Sequence, residues 1–259
     1  MQQQGSYTDG FGLHGKVVFI SGSTRGLGLE MALAMARSGA LVYINGRSAQ
    51  SVEQTCEAAR QAGINLQGLV GDMSVVSDID RCMAHLAEQH GRCDVLVNNM
   101  GIRIRQPLAA FDFGQMQQML QVNLLGAMYL SQKAAALMQK HHWGRLITIT
   151  SVAGHIARPG DGVYPVAKQG LTGMMRALAV EFAASGITSN AIAPGTFATE
   201  TNLDMVNAAA GQTLAARNPT GRWGKPEEIA GLAVFLASEL SAYINGQVIA
   251  VDGGLSVLF

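Results

Sequence analysis

The stretch Lys16-Val17-Val18-Phe19-Ile20-Ser21-Gly22-Ser23-Thr24-Arg25-Gly26-Leu27-Gly28 decides how the chain folds. Its first half is β-branched and aromatic with no polar face. That is the pattern of a central parallel strand covered on both sides. Its second half is glycine-rich, and a helical pattern over 29–38 follows directly, stopped by Gly39. A strand passing through a glycine turn into a helix aims backbone N–H groups and a partial positive charge at one point, a place for a pyrophosphate. The glycines at 22, 26 and 28 are spaced GxxxGxG rather than GxGxxG. A turn with no ligand would read the same in isolation. Its place between strand and helix favours a cofactor held by Gly22, Ser23, Thr24, Arg25, Gly26, Leu27 and Gly28.

Working outward, apolar runs at 41–45, 66–70, 94–98, 145–150, 187–192 and 247–251 read as further strands. Helical patterns cover 48–62, 77–90, 113–140, 163–184 and 226–237, the last with Pro226 in its first turn. Regular alternation requires crossover helices between parallel strands. The fold class is therefore α/β: a single-domain, Rossmann-type, doubly wound parallel sheet with helices on both faces. Residues 1–13 read as a polar tail and 14–259 as the domain. The connection 195–224 breaks the rhythm, and its length and position suit a lid over the carboxyl ends of the strands.

Composition narrows the classes. The chain has 259 residues, with 18 Lys+Arg against 18 Asp+Glu, so it lacks the basic excess of a nucleic-acid binder or a membrane-surface binder. Hydrophobic residues make up 48% and charged residues 14%, the reverse of a disordered chain. Three cysteines, Cys56, Cys82 and Cys93, form no disulfide framework, CxxC or metal-ligand spacing, which points to the cytoplasm and to no metal. The apolar run 229–237 is too short to span a bilayer, and the amino end carries no signal-peptide pattern.

The second strand bears on the nucleotide. Cofactors lacking a 2′-phosphate are usually met by an acid near its end, and here the residues are Ile44-Asn45-Gly46-Arg47. Arg47 and the loop residue Arg25 are suited to a 2′-phosphate, although each alone could be a solvated surface arginine. Together, with the acid missing, they favour NADP(H) over NAD(H). After the third strand, Asp72 and the adjacent Met73 are placed for the adenine.

Tyr164-Pro165-Val166-Ala167-Lys168 sets a phenol and an ammonium four positions apart, on one face of a helix. A free phenol ionises near pH ~10 and is a poor base at neutrality. A neighbouring ammonium favours the phenolate, which makes YxxxK a route to a working acid/base. Ser151 ends the fifth strand 13 positions earlier, where its hydroxyl could hold a substrate oxygen or cap its own backbone.

With these residues in place, the chain resembles the short-chain dehydrogenase/reductase family. The resemblance runs over about 14–259: SGSTRGLG at 21–28 matches TGxxxGxG, Asn98-Asn99-Met100-Gly101 matches NNAG, Tyr164 to Lys168 matches YxxxK, and Pro194-Gly195 matches the PG turn. It implies hydride transfer on a sheet of about seven strands, usually in a homotetramer. It also implies roles. Tyr164 is the acid/base, Lys168 tunes it and bonds the nicotinamide ribose, Ser151 positions the substrate, and Asn123 holds a water. Asn98, Gly101, Pro194, Gly195 and Thr199 join the cofactor site. Ser21 keeps the hydroxyl of the usual Thr. Met100 replaces an Ala and is expected to narrow the adenosine side.

Closer similarity is to the gluconate 5-dehydrogenase-like members, through residues 98–107, 157–160, 222–224 and 251–254. That implies a sugar acid such as gluconate or 5-keto-gluconate as substrate, met by Arg103 and Arg105, with His155 and Arg158 close to Ser151. The alternatives are a 3-oxoacyl-thioester reductase and, with the tetrad complete, a less favoured non-catalytic nucleotide-binding protein.

Overall fold

Alternate residues of strand β1 (Val17–Ile20) face opposite sides: Val18 and Ile20 enter one apolar layer, Val17 and Phe19 the other, and all four are buried. Burial on both faces is why the run shows no polar alternation. The computed structural model of the protein describes residues 10–258. The remaining strands are β2 (Leu41–Gly46), β3 (Leu66–Val70), β4 (Val95–Asn98), β5 (Gly144–Ile149), β6 (Ile187–Pro194) and β7 (Val248–Val251). They form one seven-stranded sheet, all parallel, in the order β3-β2-β1-β4-β5-β6-β7.

Helices cover both faces, as the alternation requires. α1 (Gly26–Arg37), α2 (Ala49–Gln61) and a later helix at Ala230–Ala237 pack on the Val18/Ile20 side through Met31, Met35, Ala59 and Leu236. α3 (Val76–His90) brings Ile79, Met83 and Leu86 to the other side. Local chemistry sets the ends. The Ser48 hydroxyl caps α2, and Gly91, at φ 68°, terminates α3 in the left-handed region that other residues resist.

The helix expected over 113–140 is interrupted. α4 (Phe113–Leu120) starts with a reciprocal capping box between Asp112 and Gln115. A π-turn at Gln121–Leu125 follows, then α5 (Gly126–Gln139). Gly126 lies so close to the β3–α3 connection that a Cβ there would stand 2.1 Å from the Met73 carbonyl oxygen. The widened turn lies just ahead of that contact, and it carries Asn123 inward. α6 (Tyr164–Glu181) tolerates Pro165 because the first turn needs no N–H from it. The long connection is not irregular throughout: it holds α7 (Leu203–Asn207) and α8 (Ala209–Ala216). The segment expected as a helix over 226–237 opens as a 3-10 turn, Pro226–Ile229, before α9 (Ala230–Ala237).

The amino end departs from its expected tail. Leu13 is fully buried and its N–H donates to the Ser38 carbonyl at 2.7 Å, while the Phe11 ring lies 6.2 Å from that of Phe235. The body of the fold therefore begins before residue 14, and residues 1–9 of the tail lie outside the described ones. No helix among the described residues is long and apolar enough to cross a membrane.

Candidate active site

Strand order reverses between β1 and β4, and a crevice of about 980 Å³ opens at the carboxyl ends of the strands there. This is where open α/β sheets bind ligands.

One end of the crevice is built on the glycine loop. Gly22 has φ 60°, and a Cβ on it would stand 3.0 Å from the Met100 Cα. The Ser21 hydroxyl accepts from the N–H groups of Asn99 and Met100 at 3.0 and 3.1 Å. The Asn99 carboxamide donates to the Ser21 and Gly22 carbonyls. From the opposite side Asn45, 1% exposed, accepts from the Gly22 N–H at 3.1 Å and donates to the Leu69 and Gly71 carbonyls. These bonds hold the turn open beside the start of α1. That helix has no side-chain cap of its own and no acid in its first turn, so its N–H groups suit a bound anion. A carboxylate from the lid, Glu200, accepts from the Gly26 N–H at 3.1 Å. The site therefore fits a dinucleotide pyrophosphate.

Thr24, Arg25, Gly26, Leu27 and Gly28 line this end, with Gly22. Arg47 and Asp72 face each other across it at 3.9 Å. Farther along, Gly101, Pro194, Gly195 and Thr199 form the wall. Three sequence-predicted cofactor residues keep their side chains out of the crevice. Ser23 turns its hydroxyl inward to the Ile20 carbonyl at 2.6 Å, Met73 is 1% exposed in the apolar layer under α3, and Asn98 donates to the Ser131 hydroxyl at 2.8 Å. Each is drawn inward by burial. Met100 lines the crevice but also packs on the apolar layer beneath it, so part of its bulk leaves the adenosine side.

At the other end, Tyr164 and Lys168 share one face of α6. The Lys168 ammonium lies 5.6 Å from the Tyr164 ring centre and donates to the Ile149 carbonyl at 2.9 Å. Ser151, one position past Thr150, accepts from the Ala153 N–H at 3.1 Å, which leaves its hydroxyl proton available. Ser151 thus caps its own backbone, as one sequence reading has it, and it lines the crevice. Asn123 is fully buried and does not line the crevice. Its carboxamide accepts from the Ile102 N–H at 3.1 Å and donates to the Ile102 and Met119 carbonyls at 2.9 Å, clasping the segment after β4 to the π-turn.

Of the four expected substrate contacts besides Ser151 and Tyr164, only Arg103 and Arg105 line the crevice. His155 is exposed beyond the 3-10 turn that follows Ser151, and Arg158 turns to Asp161 at 2.8 Å, so neither faces the site. Arg103 also grips Asp161, and its guanidinium covers the Tyr164 ring at 4.6 Å. Burial raises the Asp161 carboxyl, but hydrogen bonds and charge from Arg103 and Arg158 outweigh it and hold the group below the usual carboxylate range. Arg105 contacts only the Met205 sulfur of α7, at 3.7 Å, among the polar contacts of its guanidinium, and no carboxylate pairs with it among the described residues. Burial, then repulsion from Arg103 and Arg158, pushes Arg105 below its ordinary value. The substrate end thus has more positive than negative side chains.

Sequence reasoning missed Asn45, Asn99, Asp161 and Glu200. In the sequence Asn45 shows only as a strand-end position without a carboxylate. Its buried bonds run to backbone groups some twenty residues away, which no short-range pattern reports.

Fold and crevice together define a nicotinamide-dinucleotide oxidoreductase architecture. The family model described as enoyl-(acyl carrier protein) reductase matches residues 22–256. The gluconate 5-dehydrogenase of Gluconobacter oxydans is 35% identical over 258 residues, 97% of this chain and 99% of that protein. The 3-oxoacyl-(acyl-carrier-protein) reductase of Aquifex aeolicus is 34% identical over 94% of this chain and 98% of its own length. A crystal structure of a gluconate 5-dehydrogenase from Burkholderia cenocepacia in complex with NADP and tartrate superposes with a TM-score of 0.92 at 35% identity, covering 97% of this chain and 99% of that one. The chain belongs to the short-chain dehydrogenase/reductase family, and is an enzyme acting on hydroxyl and keto groups.

Proposed function

We propose that the protein is an NADP(H)-preferring oxidoreductase that interconverts a secondary alcohol and a ketone on a sugar acid of the gluconate/5-keto-gluconate type. The observation that carries the reading is one wall of the crevice: Tyr164, Lys168 and Ser151 stand together, with Arg105 beyond them lacking a carboxylate partner. When bound, the reduced nicotinamide supplies the hydride. The Ser151 hydroxyl donates a hydrogen bond to the substrate oxygen and keeps its proton. The Tyr164 phenol delivers a proton to that oxygen as the carbonyl is reduced, and accepts one in the oxidative direction. The Lys168 ammonium stabilises the negative charge that develops on the phenol oxygen. The Asn123 clasp holds the backbone beside Lys168: a Cβ on Gly101 would lie 2.6 Å from Asn123 Oδ1 and 3.6 Å from Lys168 Nζ.

Arg105 is suited to a substrate carboxylate, because a guanidinium recognises it by charge and by paired N–H groups. The similarity to the two gluconate 5-dehydrogenases supports the same substrate class. The 3-oxoacyl reductase relative supports a second reading, together with the half-exposed lid residue Leu203, but an unpaired guanidinium beside the site is costly for an apolar tunnel. A homotetramer acting in the cytoplasm completes the proposal, and the three free cysteines suit a reducing compartment.

The test follows absorbance at the nicotinamide band with NADPH and 5-keto-D-gluconate, an acetoacetyl thioester or cyclohexanone. Turnover should be most efficient with the keto-gluconate, and a Tyr164→Phe variant should bind NADPH normally yet reduce nothing. Preference for the thioester would overturn the substrate assignment. Parental rates in the variant would overturn the catalytic one.

A further inference from the structure

Between Ser151 and Tyr164 the chain carries a buried carboxylate that the chemistry above does not use. The Asp161 side chain is 2% exposed. Its Oδ1 accepts from Arg103 Nε at 2.9 Å, its Oδ2 from Arg103 Nη2, and Oδ2 also accepts from Arg158 Nε at 2.8 Å. The backbone at 161 pairs with Gln106 in an isolated parallel bridge. The segment carrying Arg103 and Arg105 is thereby tied to the segment that leads into α6. A guanidinium gripped by both carboxylate oxygens loses most of its freedom and presents its plane in one direction. That plane covers the Tyr164 ring, with the guanidinium carbon 4.6 Å from the ring centre, well within the range of cation–π attraction.

We propose that Asp161 is a positioning residue: through Arg103 it holds the Tyr164 ring in the orientation that proton transfer needs, and it withdraws Arg103 from the substrate. Arg105 is left as the cation that meets an anionic group. The proposal rests on the assignment of Tyr164 as the proton donor. A clasp that merely joined two loops would not require the guanidinium to lie across the ring, whereas a misplacement of about 1 Å at a reacting group can cost roughly a hundredfold in rate.

The experiment uses the full chain with NADPH and two carbonyl probes, anionic 5-keto-D-gluconate and uncharged butane-2,3-dione. Asp161→Asn keeps the shape and removes the charge. It should lower kcat for both probes by about tenfold or more. KM for 5-keto-D-gluconate should not rise, because the released Arg103 joins Arg105, and the Kd for NADPH should stay within about twofold. Asp161→Glu should recover part of kcat. Arg103→Met should lose kcat similarly, and the double variant should lose no more than either single one. A crystal structure of Asp161→Asn should show the Arg103 guanidinium more than ~6 Å from the Tyr164 ring centre, a readout that needs no substrate. Parental kcat in Asp161→Asn, additive losses in the double variant, or an unchanged Arg103–Tyr164 distance would each overturn the proposal. So would kcat, KM and NADPH affinity failing together with no recovery by Glu, the signature of a merely structural role. A Tyr164→Phe control that turns over at the parental rate would defeat the underlying assignment instead, and the two failures are therefore distinguishable.

Discussion

The Lys168 ammonium is anchored on the Ile149 carbonyl at 2.9 Å while standing 5.6 Å from the centre of the Tyr164 ring. The bond uses one of its protons and leaves the others to face the crevice. The side chain is 4% exposed, and no carboxylate pairs with it among the described residues. A buried ammonium without a counter-ion costs stability. Replacing it by an apolar group of similar length therefore tests function with little penalty in folding. Lys168→Met is expected to lower kcat by about 10²–10⁴, the usual worth of acid–base catalysis. Its Tm should stay near that of the parent. Steady-state rates and a thermal melt on the same preparation check both halves.

The proposed preference for NADPH is tested at the far end of the crevice. Arg25 and Arg47 line it, and Arg47 is largely exposed, 3.9 Å from Asp72. A hydrogen bond to a charged group contributes about 1.5–3 kcal/mol, so a 2′-phosphate held there should favour NADPH by roughly ten- to a hundredfold. Arg47→Asp should reverse the order. Nicotinamide fluorescence titrations give the constants, and equal Kd values for NADPH and NADH in the parent would contradict the assignment.

Asn45 should be needed for stability rather than for nucleotide choice. Its carboxamide satisfies the Gly22 N–H and two β3-side carbonyls inside the protein. Asn45→Ala leaves them unpaired at about 1–3 kcal/mol each when buried, with partial relief from water entering the space. A net loss of about 3 kcal/mol corresponds to a fall in Tm of roughly 6–12 °C for a domain of this size. Asn45→Asp should be worse, because an ionised carboxylate would face the Leu69 and Gly71 carbonyl oxygens. An acid introduced to recruit NADH therefore belongs at 47, not at 45.

The Asp161 clasp predicts a particular acid response. The folded carboxyl lies below its ordinary range, despite burial, because Arg103 and Arg158 favour the charged form. The folded state thus holds the proton less readily than the unfolded chain, whose aspartates titrate near ~3.9. The contribution is complete above that value and is lost as pH falls through the folded value. Breaking a buried pair by removing one partner costs about 3 kcal/mol or more. The parent should exceed Asp161→Asn by roughly 2–3 kcal/mol at neutral pH, less than the full penalty because Asn still accepts one hydrogen bond. The gap should narrow steadily below pH ~4. Denaturant titrations at a series of pH values read this directly, and a gap that does not change with pH would refute it.

The ladder of strands was legible because β1 is apolar throughout and β4 carries the apolar run Val95-Leu96-Val97, and such runs mark a sheet covered on both faces. The pairing of Tyr164 with Lys168 was legible because helical spacing alone puts them on one face. The π-turn at Gln121–Leu125 was not: it accompanies the close approach of Gly126 to the Met73 carbonyl, a contact between segments far apart in sequence. The lid helices α7 and α8 were hidden for another reason. The Ala-rich stretch of α8 has little amphipathic contrast, so periodicity carries no signal there. Arg158 reads as a substrate contact because its charge is visible in the sequence, whereas the buried Asp161 that pairs with it is recognisable only in three dimensions.

The buried Leu13 and the ring contact of Phe11 with Phe235 also bear on how the amino end can be altered. Gly10 lies so close to Leu240 that a Cβ there would meet its side chain at 2.6 Å. Truncation at residue 14 would strip a plug from the underside of α9 and bare its aromatic surface to solvent. Affinity tags and fusion partners therefore belong upstream of residue 10, joined so that this short anchor still reaches its seat.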